Sequence, residues 1–281
     1  MLSVAAGLLE ESAARAATDA IGQAAAAAEA RIGGRVGVCV FDPATGDRFG
    51  HRADERFPMC STFKAVAVAT VLNRVDEGRE DLRSFVRYGK GELLDHAPVA
   101  RLHLQQGGMN VEALCAAAIE QSDNTAANLL LARVGGPAGV TAFLRSIGDG
   151  VTRLDRTEPS LNSAIPGDLR DTTTPAAMAW TLKRLLAGPA LKARSRGRLT
   201  GWMLHCATGQ QRLRAGVPAA WRVADKTGTG EHGSANDIAA LWPPGRGPLL
   251  AAVYCTGSHA PAAALDGAIA EVGRAIARSR V

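Results

Sequence analysis

The chain has 281 residues, 47% of them hydrophobic and 21% charged, which is enough apolar material for a sizeable core without covalent staples and too much for a disordered chain. Its net charge of +5 comes from 32 Lys and Arg scattered among 27 Asp and Glu, with no long basic run, so nucleic-acid binding is not indicated. No apolar run approaches the ~18 residues that a membrane span needs.

The opening "MLSVAAGLLEESAARAA" has no basic segment before its apolar stretch and meets Glu10 and Glu11 inside it. That pattern predicts an amphipathic helix and not a signal peptide, leaving either a cytosolic protein or a mature form without its leader. The helical pattern runs to Gly33–Gly34, since Gly is the usual residue just past a helix C-terminus. In "RVGVCVFDPATGDRFG", Val36, Val38 and Val40 alternate, "DPATG" turns, and the chain returns toward Phe49: a β-hairpin. From Pro58 to 205 the pattern is helical, with "STFKAVAVATVLNRVDEG", "NVEALCAAAIEQ", "NTAANLLLARVGG", "GVTAFLRSIG" and "TTPAAMAWTLKRLLAG" each bounded by Gly or a polar cap. Residues 151–171 form a long irregular piece within it. "WRVADKTGT", "DIAALWP" and "LLAAVYCTG" predict three strands, and "AALDGAIAEVGRAIARSRV" a closing helix.

Strands from both ends of the chain most simply share one antiparallel sheet of five strands, covered by the terminal helices. The expected fold is α+β, with residues 1–57 and 206–281 in one unit and 58–205 inserted as an all-helical unit. A cleft between the two is the natural binding site. The cysteines (Cys39, Cys60, Cys115, Cys206, Cys255) form no C-x-x-C pair, and their odd number leaves at least one free. The histidines lack ligand spacing, so no metal site is expected.

Four short stretches carry chemistry. "CSTFK" puts Ser61 at the start of a helical pattern with Lys64 at i+3 on the same face, where an amine reaches the hydroxyl and the helix N-terminus favours developing negative charge. "QSDNTA" puts Ser122 and Asn124 between two helices; it reads as a helix cap, and equally as a proton-relaying hydroxyl beside an amide that both donates and accepts. "DKTGTG" ends a strand with Lys226, Thr227, Gly228 and Thr229, offering cationic and hydroxyl contacts to an anion beside glycines that allow close approach. "RTEPSLN" sets Glu158 before a proline in the irregular segment, where a plain solvated acid would be the ordinary reading. Alone, each stretch is a common pattern; together and in this order they are specific.

The ordered set "STFK", "SDN", "EPSLN" and "KTG" resembles the class A serine β-lactamases, over nearly the whole chain. The resemblance implies the serine β-lactamase/D,D-peptidase-like fold and hydrolysis of the β-lactam amide of antibiotics through an acyl-serine, without metal or organic cofactor. Ser61 is then the nucleophile, Lys64 its base or proton carrier, and Ser122 the donor to the departing ring nitrogen. Asn124 holds the substrate's side-chain amide. Lys226, Thr227 and Thr229 bind its carboxylate, while the Ser61 and Thr229 backbone N–H groups form the oxyanion hole. Glu158, with Asn162, activates the deacylating water, and Arg156 pairs with Asp171 across the neck of its loop. The Glu158–Pro159 bond is allowed to be cis.

Departures from common family patterns matter too. Many members carry an Arg where Ala235 stands, so the substrate-carboxylate guanidinium is assigned to Arg212. Relatives that bridge the cysteine before the nucleophile do so to a position that is Gly230 here, and another bridge would join Cys115 to the place of Val68, so five free thiols are expected. His96 resembles the position at the cleft mouth that is usually aromatic. The family also implies a monomeric, periplasmic or secreted protein with a small-molecule β-lactam substrate and neither nucleic-acid nor membrane partners. A D,D-peptidase, a non-turning-over sensor and a pseudoenzyme are the competing readings; Glu158, the absence of a span and the intact motifs weigh against them in turn.

Overall fold

A computed structural model of the chain describes residues 20–279, so the expected start of the first helix lies outside the described residues. Residues 20–32 form α1, closed by Gly33 at φ +63°, a left-handed cap that glycine adopts without a Cβ penalty. The hairpin follows as β1 (Arg35–Phe41) and β2 (Arg48–His51), in antiparallel register with Val38 opposite His51. β3 (Phe57–Pro58) leads through a single 3-10 turn, Cys60–Thr62, into α2 (Phe63–Asp76).

The helical block continues with β4 (Phe85–Arg87) and β5 (Gly108–Asn110), which pair as a small ribbon, and then α3 (Val111–Glu120), α4 (Asn124–Arg133) and α5 (Gly136–Ser146). After the irregular segment, β6 (Thr172–Thr173) pairs with β3. α6 (Pro175–Leu182) runs on as a π-helical turn, and α7 (Ala193–Leu204) and the one-turn α8 (Leu213–Gly216) complete the block's exit. The chain ends with β7 (Arg222–Gly230), β8 (Ser234–Trp242), β9 (Leu249–Thr256) and α9 (Ala262–Ser279).

The main sheet is the expected five-stranded antiparallel one, in the order β2-β1-β9-β8-β7. Both of its faces are buried, which is why "LLAAVYCT" reads as an unbroken apolar run and not as an alternation. Along β9, Leu249, Ala251, Val253 and Cys255 pack with Ile21 and Ile32 of α1 and with Leu265, Ile269 and Ile276 of α9. Leu250, Ala252 and Tyr254 face the other way, into the core shared with α2, α3, α4 and α6. Helix α7 lies within the expected helical block but was not among the segments named as helices. Its segment "ARSRGRLTGWML" holds two glycines and three arginines, and it buries only Ser195, Leu199 and Met203, a narrow i, i+4, i+8 stripe.

β3 passes close beneath β1. A Cβ on Gly37 would lie 2.3 Å from Phe57 Cε2 and 2.9 Å from Pro175 Cγ, so this register tolerates only glycine. Gly37→Ala should therefore destabilise the protein by about 1–3 kcal/mol through overpacking, read as a lower urea midpoint; an unchanged midpoint would mean that Phe57 and Pro175 yield freely.

Candidate active site

Ser61 lies in the 3-10 turn that feeds α2. Cys60 before it takes φ +46°, a region uncommon for a residue with a side chain. Asn236 on β8 ties the turn down by donating to the carbonyls of Pro58 (2.9 Å) and Met59 (3.0 Å). From the side, β7 closes in: a Cβ on Gly228 would meet Met59 O at 2.7 Å and Ser61 N at 3.1 Å. Only a glycine lets this edge strand bring Thr229 up to the turn.

The "SDN" triplet divides its labour. Asp123 is the cap of α4, accepting from Ala126 N, and also takes the N–H groups of Val99 and Ala100. Ser122, at φ +55°, and Asn124 are thereby freed for the cleft. Lys64, fully buried, donates to Ser122 O (2.6 Å), Asn124 Oδ1 (2.5 Å) and Glu158 Oε1 (3.1 Å), and more weakly to Ser122 Oγ (3.3 Å). Lys226 Nζ approaches the same Ser122 hydroxyl at 3.0 Å, so Ser122 stands between two amines. Burial pushes the Lys64 amine down to about 8, against the opposing pull of Glu158; burial likewise lowers Lys226.

Glu158 sits where the irregular segment passes beneath the serine. Ser61 Oγ donates to its Oε1 at 3.1 Å, and Asn162 Nδ2 donates to its Oε2 at 2.5 Å. No hydrogen bond joins Lys64 to Ser61. The Glu158–Pro159 peptide is cis. Asn128, which the sequence analysis did not single out, clamps the Glu158 backbone from α4, accepting from its N–H (3.0 Å) and donating to its carbonyl (2.9 Å). A signal for it existed: an amide four residues after Asn124, on the same helix face, inside the apolar run "AANLLL".

The neck of the segment is closed by charge. Arg156 Nε meets Asp171 Oδ2 at 2.5 Å, and Asp171 Oδ1 takes the backbone N–H of both Asp155 and Arg156. Asp171 is 1% exposed and Arg156 17%, so this is a mostly buried pair.

Arg212 is held in the wall beside β7. Its guanidinium donates to Thr229 Oγ1 (2.8 Å), to the Gly228 and Asn236 carbonyls (2.7 Å each) and to Asp266 Oδ1 (2.7 Å). Thr227 Oγ1 shares a 2.5 Å hydrogen bond with Thr208. Two buried acids behind this wall, Asp225, which pairs with Arg214, and Asp237, are raised above the usual carboxylate range by burial; Asp237 was legible as the lone acid of "DIAALW". His96 is exposed at the rim, its carbonyl accepting from Asn124 N. The described cysteine thiols are buried and unpaired, and Cys60 is pushed up to about 12 by burial, which makes it inert beside the nucleophile. A Cβ on Gly230 would lie 2.6 Å from Cys60 Sγ. Among the described residues no cluster of three His, Cys, Asp or Glu is placed to hold a metal ion.

A serine whose hydroxyl is bonded to a buried carboxylate, beside two buried amines and a hydroxyl between them, is equipped for acyl transfer. The family model described as the beta-lactamase enzyme family matches residues 18–279. Beta-lactamase L2 of Stenotrophomonas maltophilia is 50% identical over 278 residues, 98% of this chain and 90% of that protein. The solved class A β-lactamase described as the last common ancestor of Gram-negative bacteria is 60% identical, with a TM-score of 0.92 over 93% of this chain and all of that one. A putative class A β-lactamase from Rhodopseudomonas palustris is 53% identical, with a TM-score of 0.90 over 92% of this chain and 99% of its own. The chain belongs to the beta-lactamase enzyme family, and within it to the class A serine β-lactamases, which are hydrolases.

Replacing Asp171 by Asn removes the nearer of Arg156's two carboxylate partners and leaves only Asp168, at 3.6 Å. Because Arg156 keeps some solvent, the loss should fall at the lower end of the ~3–5 kcal/mol seen when a buried pair is broken. Thermal unfolding would register it; an unchanged transition would mean that the pair does not hold the segment closed.

Proposed function

We propose that the protein opens β-lactam rings in the cleft between the sheet unit (1–57 and 206–281) and the helical unit (58–205), by way of an acyl group on Ser61. The observation that carries this reading is the 3.1 Å hydrogen bond from Ser61 Oγ to Glu158 Oε1. Glu158 takes the hydroxyl proton as Oγ bonds to the lactam carbonyl carbon, with the N–H groups of Ser61 and Thr229 as oxyanion donors. As the C–N bond breaks, that proton passes from Glu158 through Lys64 and Ser122 to the departing nitrogen. Lys64 contacts both ends of this relay, while its short bonds to Ser122 O and Asn124 Oδ1 argue against a free amine poised to strip Ser61 directly.

Glu158, again a carboxylate, then deprotonates a water that attacks the ester carbon; the C–Oγ bond breaks and Ser61 recovers its proton. Asn162 Oδ1 is buried and without a hydrogen-bond partner beside Glu158, an open acceptor suited to the second proton of such a water. Lys226, Thr227 and Thr229 bind the substrate carboxylate, with Arg212 reinforcing Thr229. Asn124 takes the side-chain amide, and His96 borders the mouth. We assign the protein the exported location and monomeric state that the resemblance implies, with antibiotic resistance as the outcome. A D,D-peptidase reading is disfavoured because Glu158 supplies a deacylating base.

Two measurements follow. With a chromogenic cephalosporin the parent should turn over many equivalents, whereas Glu158→Ala should release about one per protein and then slow by about 10²–10⁴; undiminished turnover would exclude Glu158 as the base. The pH dependence separates the two candidate bases for acylation. Glu158 raises the Lys64 pKa while burial lowers it, so in Glu158→Ala that pKa falls below about 8. Lys64 becomes neutral as pH rises, so residual acylation in this variant should climb with pH through a midpoint below about 8 and level off above it. A flat profile would mean that Lys64 takes no part.

A further inference from the structure

A cavity of about 270 Å³ lies under the outer part of the irregular segment, lined by none of the proposed catalytic side chains. Four arginines line it: Arg35, Arg56, Arg156 and Arg170. Three of them are answered. Arg35 meets Glu55 at 2.9 Å, although Glu55 also serves Arg52; Arg156 meets Asp171; and Arg170 meets Asp168 at 2.8 Å.

Arg56 differs. Its Nη1 donates to two neutral oxygens, Val151 O (3.2 Å) and Thr172 Oγ1 (3.0 Å). Among the described residues no carboxylate pairs with it, and its Nε and Nη2 have no hydrogen-bond partner. The cavity therefore carries one uncompensated cation with an open pair of donors, the edge of a guanidinium that suits a carboxylate in bidentate fashion. The apolar part of the lining is formed by Pro58, Leu161, Ala164, Ile165, Pro166 and Leu169. Ile165 and Leu169 are 48% and 56% exposed, so the lining offers accessible apolar surface for an apolar body to cover.

We propose that this cavity is a binding site for a small organic monoanion, a carboxylate on a compact apolar body, held by Arg56 and seated against Ile165 and Leu169. Its volume of about 270 Å³ falls just below the range of drug-sized pockets, which begins near ~300 Å³, so a compact aryl- or alkyl-acetate fits the chemistry and a bulkier ligand does not. Arg156 and Leu161, which also line the cavity, stand close before Glu158 and Asn162 in sequence. An occupant thus contacts the segment that carries the general base. The proposal stands apart from the reaction scheme, because its readout is binding.

The test is a titration of the full chain, isotope-labelled, with phenylacetate at constant ionic strength, followed by amide chemical shifts. Saturable shifts are expected at Gly167, Leu169, Thr172 and Gly257, whatever phenylacetate does near Lys226. Arg56→Gln should weaken this binding at least about tenfold, the loss that a charge-assisted hydrogen bond carries. Because Arg56 also tethers Val151 and Thr172, a second variant decides. Ile165→Asp alters only an exposed side chain on the wall, and with an otherwise native spectrum it should lose binding by a similar factor. Absence of saturable shifts at these amides, or binding retained in Ile165→Asp, overturns the proposal. Equally tight binding of inorganic phosphate overturns its requirement for an apolar body.

Discussion

Glu158 Oε1 accepts both the Ser61 hydroxyl and the Lys64 ammonium, each at 3.1 Å, in a place with no access to bulk water. Burying a carboxylate and an amine together is costly unless every lone pair and proton finds a partner. Here the partners come from three separate pieces of chain: Asn162 on the loop, Ser122 and Asn124 at the start of α4, and Lys64 one turn beyond the nucleophile on α2. The arrangement holds only if those pieces are fixed relative to one another, and much of the surrounding structure meets that demand.

The loop is fixed at three levels. Asn128 grips the Glu158 backbone on both its N–H and its carbonyl, the Arg156–Asp171 pair closes the neck, and β6, just beyond Asp171, pairs with β3, which enters the Ser61 turn. The general base and the nucleophile are thus tied through a two-residue ribbon as well as through their own contact. On the other flank, glycine at 228 permits β7 to approach the turn, and Arg212 stiffens Thr229 from behind while itself held by Asp266. Ser61, Lys64 and Lys226 are carried on regular elements, and the irregular segment that carries Glu158 is made rigid by hydrogen bonds to its backbone, as a preorganised site requires.

The sequence made legible whatever rests on local signals. The β1–β2 hairpin, the three C-terminal strands and the Gly33 cap follow from alternation and turn residues close in the chain, and they appear where expected. Helix α7 was hidden because its buried stripe is only one residue wide and is diluted by glycine and arginine. The four motifs marked Ser61, Lys64, Ser122, Glu158 and Lys226, and the fold brings them together from a span of 166 positions, 61 to 226. What joins them was less visible. Asn128 looks like a helix-interior amide, and Asp123 is the helix cap that the pattern offered to all three residues of its triplet. The route from Arg212 to Thr229 crosses between elements with no local trace, and Arg212 entered the site only through family resemblance.

The account turns on whether the acid at position 158 frees an ester at Ser61. Rapid-quench mass spectrometry with a penicillin, comparing the parent with Glu158→Gln and mapping the modified peptide, tests this most directly. The account predicts one added substrate mass on the peptide that contains Ser61, transient in the parent and lasting about 10²–10⁴ times longer in the variant. Equal lifetimes in the two proteins, or an adduct on another residue, would contradict it.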